Sequence, residues 1–139
     1  MAAALAAIAA GHDTQLSASE RQFLYTPLMH SEAREHQEEG VVQFTRLVND
    51  FRACAAALAV NAVVSARADA LACAVCEAAN IGTLKYALHM MREHADVVAR
   101  FGHFPHRNVA RGRDTTPEEA AWLASPDIPS WAKSQQAKQ

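Results

Sequence analysis

The sequence LKYALHMMREHADVVARF, which runs from Leu84 to Phe101, decides the fold class of this chain. Its apolar residues recur three and four positions apart, which is the spacing of one buried face of an α-helix. The apolar positions are Leu84, Ala87, Leu88, Met91, Ala95, Val98 and Phe101, and the opposite arc holds Lys85, Arg92, Glu93, Asp96 and Arg100. Gly102 and Pro105 follow directly, so the helix is predicted to end there.

Three further helices are predicted in the N-terminal third of the chain. Met1–Ala10 is an alanine-rich stretch that the next residue, a glycine, is expected to end. The spacing Ser17–Glu20 is that of a capping box, and it predicts a helix over RQFLYTPLMH that kinks or stops near Pro27. Ser31 is expected to cap the following helix, Glu32–Val48.

The remaining segments complete an all-helical pattern. After a predicted break at Asn49-Asp50, the alanine-rich stretch Phe51–Ala79 indicates one long helix or two short ones. Thr116 is followed by a proline and two glutamates, which predicts the start of another helix. The fold class is therefore all-α, a bundle of about six antiparallel helices. Residues 1–124 are expected to form a single helical domain, and residues 125–139 a polar, proline-broken C-terminal tail.

Composition gives broad limits on function. The 139 residues can bury one core, and the formal charge of −2 gives no overall attraction to nucleic acid or a membrane surface. The most apolar segment, ACAAALAVNAVVSA, is too short to span a bilayer. Cys73 and Cys76 form a C-x-x-C without the βαβ setting of a redox motif, so packing is the favoured interpretation. We expect a cytoplasmic protein with no cofactor, no metal, no nucleic-acid partner and no membrane partner.

The segment FGHFPHRNVARGR, Phe101–Arg113, joins two predicted helices and concentrates aromatic and basic side chains. If it opens a short helix, backbone N–H groups beside His106, Arg107 and Asn108 suit a carboxylate or a phosphate. Arg107 and Asn108 could equally cap neighbouring helix ends or pair with Glu32, Glu35 or Glu38. The residue types leave both interpretations open.

Three more polar residues of the Leu84–Phe101 helix are candidates for a site. His94 lies inside the apolar arc, which favours a core histidine that donates to a backbone carbonyl. The alternative places His94 in a polar pocket beneath the FGHFPHRN segment. Asp96 and Arg100 are four residues apart and are expected to pair on the outer face.

Two stretches resemble the bacterial domain of unknown function 924 family: FLYTPLMHSE, Phe23–Glu32, and HADVVARFGHFPHRNVARGRDTTPEEAAWL, His94–Leu123. By eye the resemblance covers about two-thirds of the chain. It implies an all-helical fold similar to tetratricopeptide-repeat proteins, and it implies no activity. It favours a shared polar site, with the candidate ligand-binding residues His30, Glu32, His94, Asp96, Arg100, His106, Arg107 and Asn108.

The chain also departs from the family pattern. His103 and Ala95 stand where the family usually has arginines, which weakens the cationic character of an anion pocket. The alanine-rich segment between Val48 and Leu84 is unlike the family's shorter connection, and the N-terminal half of the family pattern is missing. A bundle without its first helices would expose an apolar face, so we expect a homo-oligomer or a protein partner that covers this face.

Three functions are compatible with the sequence. We favour a non-catalytic protein- or peptide-interaction module, by analogy with tetratricopeptide-like folds, with Arg100, Arg107 and Arg111 along an open groove. The alternative is an enzyme or binder of a small anionic ligand, phosphate or carboxylate, which would place titratable side chains with shifted pKa values in a closed pocket. A pure scaffold would instead have each polar side chain of the segment bonded to a helix end or to another residue of the protein.

Overall fold

A computed structural model describes residues 1–61 and 81–135. Over these residues it contains α-helices and short 3-10 turns and no strand, which confirms the all-α class. The α-helices are α1 (Ala2–Ala9), α2 (Ala18–Met29), α3 (Arg34–Asn61), α4 (Ile81–Phe101), α5 (Pro117–Leu123) and α6 (Ser130–Ser134). The 3-10 turns are His12–Gln15, Pro105–Arg107 and Val109–Arg111. The C-x-x-C of Cys73 and Cys76 lies outside the described residues.

Two of the three predicted helix caps, those at Ser17 and Thr116, are confirmed. The Ser17 hydroxyl accepts from the backbone N–H of Glu20 at 3.3 Å, and the Glu20 carboxylate accepts from the backbone N–H of Ser17 at 2.8 Å. Thr116 and Glu119 form the same reciprocal pair, at 3.3 and 2.7 Å, where α5 begins. Pro27 lies inside α2, which ends two residues later at Met29.

Two predictions about α3 are wrong. The helix begins at Arg34 rather than Glu32, and the Ser31 hydroxyl accepts from the N–H of Ala33 at 3.2 Å, outside the helix. The expected break at Asn49-Asp50 is absent, because α3 runs continuously through both residues. Asn and Asp cost little in a helix interior compared with the burial of neighbouring apolar residues, and Asp50 also accepts from Arg21 of α2 at 2.9 Å.

The main core lies where α2, α3 and α4 meet, and we call it the three-helix core. Its centre holds Tyr25 and Leu28 from α2, Phe44 from α3, and Leu84 and Met91 from α4, all fully buried. The Tyr25 and Phe44 rings meet edge to face with centroids 5.8 Å apart. Five of the seven predicted apolar positions of α4 are buried, whereas Ala95 and Phe101 are half-buried. His94, inside the predicted arc, and Val97 are buried as well.

Gly40 allows these helices to approach closely. A Cβ atom at this position would lie 2.6 Å from the Met91 sulfur, which is too short for a contact, and 3.3 Å from the Leu28 Cβ, which is tight. Since α3 passes both neighbours at this point, the glycine fixes the spacing of the three-helix core.

A smaller apolar cluster lies at the C-terminal end of α4, and we call it the C-terminal cluster. It consists of Val97, Val98, Phe104, Ile128, Trp131 and Ala132. Residues 125–135 of the predicted tail therefore differ from our expectation, because three of their apolar side chains are buried against α4 and the segment after it. None of the helices in the described part of the chain is long and apolar enough to cross a membrane.

Candidate functional site

The FGHFPHRN segment is a tight connection that follows α4. Gly102 adopts a left-handed backbone with φ 75°, which ends α4 as the sequence predicted. Phe104 is fully buried in the C-terminal cluster and precedes the turn Pro105–Arg107. This anchor fixes the directions in which the neighbouring polar side chains point.

Glu32 is the strongest polar link between this connection and the rest of the protein. Its carboxylate accepts from the Arg113 guanidinium at 2.8 and 3.1 Å and from the backbone N–H of Phe104 at 3.2 Å, and Arg111 lies 3.7 Å away. Burial alone would raise the pKa of Glu32, but the hydrogen bonds and the two arginine charges lower it to about 2. Because α3 begins only at Arg34, Glu32 is able to turn toward these partners instead of extending the helix.

Arg107 is engaged by the protein on two sides. Its guanidinium donates to the carbonyl oxygen of His30 at 3.0 Å, which caps the C-terminal end of α2. The same guanidinium lies over the Phe104 ring, 4.5 Å from the centroid. These contacts match the helix-capping interpretation of this arginine.

Asn108 is fully buried and completes the connection. Its amide nitrogen donates to Glu119 at 3.3 Å and to Thr115 at 3.4 Å, and its carbonyl oxygen accepts from Arg113 at 3.0 Å. His103 lies 2.6 Å from the other Glu119 oxygen. The Thr116 N–H, with His103 as a smaller contribution, lowers the pKa of Glu119. The amide of Asn108 is thus committed to holding α5 in place.

His94 is a core histidine, as the favoured interpretation predicted. It is 3% exposed, and its Nδ1 lies 2.7 Å from the carbonyl oxygen of Met90. Its ring stacks on Trp131 at a centroid distance of 3.8 Å and meets the rings of His30 and Phe104 edge to face, each at 5.5 Å. Burial is the main cause that lowers the pKa of His94 to about 4, so the ring is neutral at pH 7.

Two more histidines surround this ring. His106 is buried, and its ring lies 5.5 Å from that of Trp131. Burial, with the charge of Arg107, lowers the pKa of His106 and also that of the more exposed His30. Gln135 lies beside the His106 ring and acts in the opposite direction, because it raises the pKa of His106. Neither ring nitrogen of His106 has a hydrogen bond of ordinary geometry. Within the described residues no three His, Cys, Asp or Glu side chains are arranged to hold a metal.

The eight predicted residues therefore separate into two groups. His30, Glu32, His94, His106, Arg107 and Asn108 gather around the connection after α4. Asp96 and Arg100 lie on the exposed face of α4, and both line a cleft of about 250 Å³ beside Trp122. Their predicted mutual pair is wrong, because Arg100 turns to Glu118 of α5 at 2.9 Å.

Three residues of this site were not among the candidates. Arg113 is the main partner of Glu32, Glu119 is the partner of Asn108, and Trp131 stacks on His94. Arg113 stood at the end of the basic segment, and Glu119 was recognised only as a helix cap. Trp131 is the single aromatic residue of the predicted tail, and this was the available signal for its burial, since large aromatic side chains are costly to leave in water.

Two clefts line the seam between α3 and α4, and we call them together the α3–α4 groove. One half is a cleft of about 300 Å³ whose charged lining residues are Arg52, Lys85 and Arg92, with His89 beside them, and we call it the basic cleft. The other half is a mainly apolar cleft of about 270 Å³ around Val41, Ala95 and Ala99, with Arg34, Glu38 and Asp96 at its edges, and we call it the apolar cleft.

The fold and this site define an all-helical protein in which a polar segment ties the helices together beside an open groove. The chain belongs to the family described as bacterial protein of unknown function (DUF924), whose profile matches residues 1–127. The match extends well beyond the two-thirds of the chain estimated from the motifs. No curated protein and no solved structure matches the chain at a significant level.

Proposed function

We propose that this protein is a non-catalytic protein- or peptide-interaction module that binds its partner in the α3–α4 groove. The observation that carries the proposal is the neighbouring position of the two clefts. Val41 and Thr45 are one helical turn apart on α3, and Arg92 and Asp96 are one turn apart on α4, so the clefts adjoin on the same side of the seam.

The dimensions of the groove suit a short peptide. Its lining on α3 extends from Arg34 to Arg52, a span of about 27 Å at 1.5 Å per residue. An extended chain of about eight residues has this length. Paired helices that leave an open groove are the usual peptide-binding surface of helical-hairpin proteins, and the tetratricopeptide-like architecture that we propose for this chain would use it in the same way.

The contacts of the FGHFPHRN segment favour this function over catalysis. Arg107, Asn108 and Arg113 already donate to acceptors of the protein, so few of their donors remain for a phosphate or a carboxylate. The lowered pKa of His94 has burial as its main cause, and the ring is held by a backbone carbonyl and Trp131. We therefore assign the segment to holding the helices and the groove to binding.

Selection of peptides from a random phage-displayed library on the purified protein tests the proposal. Ala99 is exposed and lines the apolar cleft, so Ala99→Trp should fill this cleft without disturbing the core. Selected peptides are expected to bind the wild type and the control Ala110→Trp, a matched change at an exposed residue outside the groove, and to lose binding to Ala99→Trp. Peptides that bind Ala99→Trp as tightly as the wild type would place the binding surface elsewhere.

A further inference from the structure

The basic cleft brings the cationic side chains of Arg52, Lys85 and Arg92 together from two helices, with the His89 imidazole among them. Lys85, His89 and Arg92 are spaced i, i+4, i+7 on α4, so they project from one face of this helix. Arg52 projects toward them from α3. The clustering results from the antiparallel pairing of α3 and α4, and it is invisible in the overall charge of −2.

Among the described residues, no ion pair balances the arginine and lysine charges of this cleft. In residues 1–61 and 81–135 no ion pair involves Arg52, Lys85 or Arg92, and no acidic side chain lines the cleft. The adjacent Glu93 lies 3.5 Å from His89 but also accepts from the indole N–H of Trp131 at 3.2 Å. Like charges that line one cleft repel each other, and a bound anion would relieve the repulsion.

Polar and apolar neighbours suit this cleft to oxygen anions on a larger ligand. Thr45 and Asn49 follow α3 toward Arg52 at i, i+4, i+7 spacing and add uncharged hydrogen-bonding groups. Val48 and Leu88 add an apolar lining, which suits the aliphatic part of a larger ligand. Arginine guanidinium groups in particular match the planar fork of a carboxylate.

We propose that the basic cleft is an oxyanion-binding site that recognises the carboxylate side chains of an acidic peptide segment. The inference rests on the proposed function, since the apolar cleft next to it would take the apolar residues that follow this segment. The partner is therefore a peptide with two to four acidic residues at one end and small apolar residues at the other. Charge complementarity at one end also gives the bound peptide a fixed direction.

Fluorescence anisotropy with two labelled eight-residue peptides tests this inference. One peptide has four glutamates followed by four apolar residues, and the other has glutamine in place of each glutamate. The double variant Arg52→Gln/Arg92→Gln removes two cations from the cleft, and Arg46→Gln/Lys133→Gln removes two exposed cations that do not line it. Inorganic pyrophosphate is measured as a competitor, to separate a small free anion from a peptide ligand.

The acidic peptide is expected to bind the wild type and to bind Arg52→Gln/Arg92→Gln about 5- to 30-fold more weakly, with little change in the control variant. Higher salt should weaken this binding, because the charges of the cleft are solvent-exposed. If both peptides bind equally well to the wild type and to the double variant, the inference fails while the proposed function stands. If neither peptide binds and only pyrophosphate does, the ligand is a small anion, and both the peptide assignment and the proposed function fail.

Discussion

Replacing Glu32 by glutamine is expected to destabilise the protein by about 2 kcal/mol at pH 7. Glu32 accepts two hydrogen bonds from Arg113 and one from the backbone N–H of Phe104. Glutamine preserves the size of the side chain and one oxygen acceptor, but its amide nitrogen would face the donors of the guanidinium. The variant therefore loses the charge and at least one charge-assisted hydrogen bond in a partly buried place.

The pKa of Glu32 gives an upper limit for this effect. The pKa falls from its ordinary value of 4.5 to about 2, and at about 1.4 kcal/mol per unit this corresponds to about 3 kcal/mol. The side chain keeps 15% exposure, so water screens part of the interaction and about 2 kcal/mol is the expected loss. Because the folded-state pKa is the lower one, this stabilisation is fully present above pH 4.5 and is lost as the pH falls toward 2.

Urea unfolding at pH 7, 5 and 3 measures both the size and the pH dependence. Glu38→Gln is a matched control, because its partner Arg34 and Glu38 itself are 70% and 65% exposed, and its cost should stay below about 0.5 kcal/mol. The difference between Glu32→Gln and the wild type should be the same at pH 7 and 5 and clearly smaller at pH 3. A difference at pH 7 no larger than that of the control, or one that persists unchanged at pH 3, would refute the reasoning.

Three further predictions concern the core, a buried histidine and the surface. Gly40→Ala should cost about 1–3 kcal/mol in urea unfolding, because the added Cβ lies 2.6 Å from the Met91 sulfur; a neutral result would mean that this methionine moves freely. The pKa of His94 should be near 4 by NMR, so the wild type should lose stability as the pH falls from 6.5 to 4. His94→Gln should lose less stability over this range, because only the lowered pKa values of His30 and His106 then contribute. A pKa of 6.5 for His94 would contradict its burial. Light scattering should detect the predicted self-association of the wild type. The association should weaken in Phe23→Ser/Tyr86→Ser, because this variant replaces two exposed aromatic residues. A wild type that is purely monomeric would count against the prediction.

Local signals allowed much of the fold to be predicted. The α4 face, the Ser17 and Thr116 caps and the stop at Gly102 each depend on residues within one or two helical turns, so the sequence pattern carries them. Asn49-Asp50 was misread because helix propensity is a weak preference beside tertiary packing. Asp50 accepts a hydrogen bond from Arg21, which lies 29 residues away along the chain, and a local sequence pattern does not predict such a contact.

The sequence predicted many residues of the candidate site, but it did not predict which residues they bond to. The motif identified Glu32 and Arg107, but their partners, Arg113 and the His30 carbonyl, lie 81 and 77 residues away along the chain. The burial of Trp131 was missed because the polar and proline-rich residues around it determine the local composition. The basic cleft was missed for a similar reason, since Arg52 and Lys85 become neighbours only when α3 and α4 pair.

The link between Glu32 and Arg113 also has a consequence for the kinetics of folding. A contact between residues 81 positions apart closes a long loop of chain, and the entropic cost of this closure is repaid only after the intervening helices have packed. We expect the three-helix core to form in the folding transition state and this link to form after it. Weakening the link should then accelerate unfolding and leave the refolding rate nearly unchanged, so that Glu32 and Arg113 determine how long the native state persists.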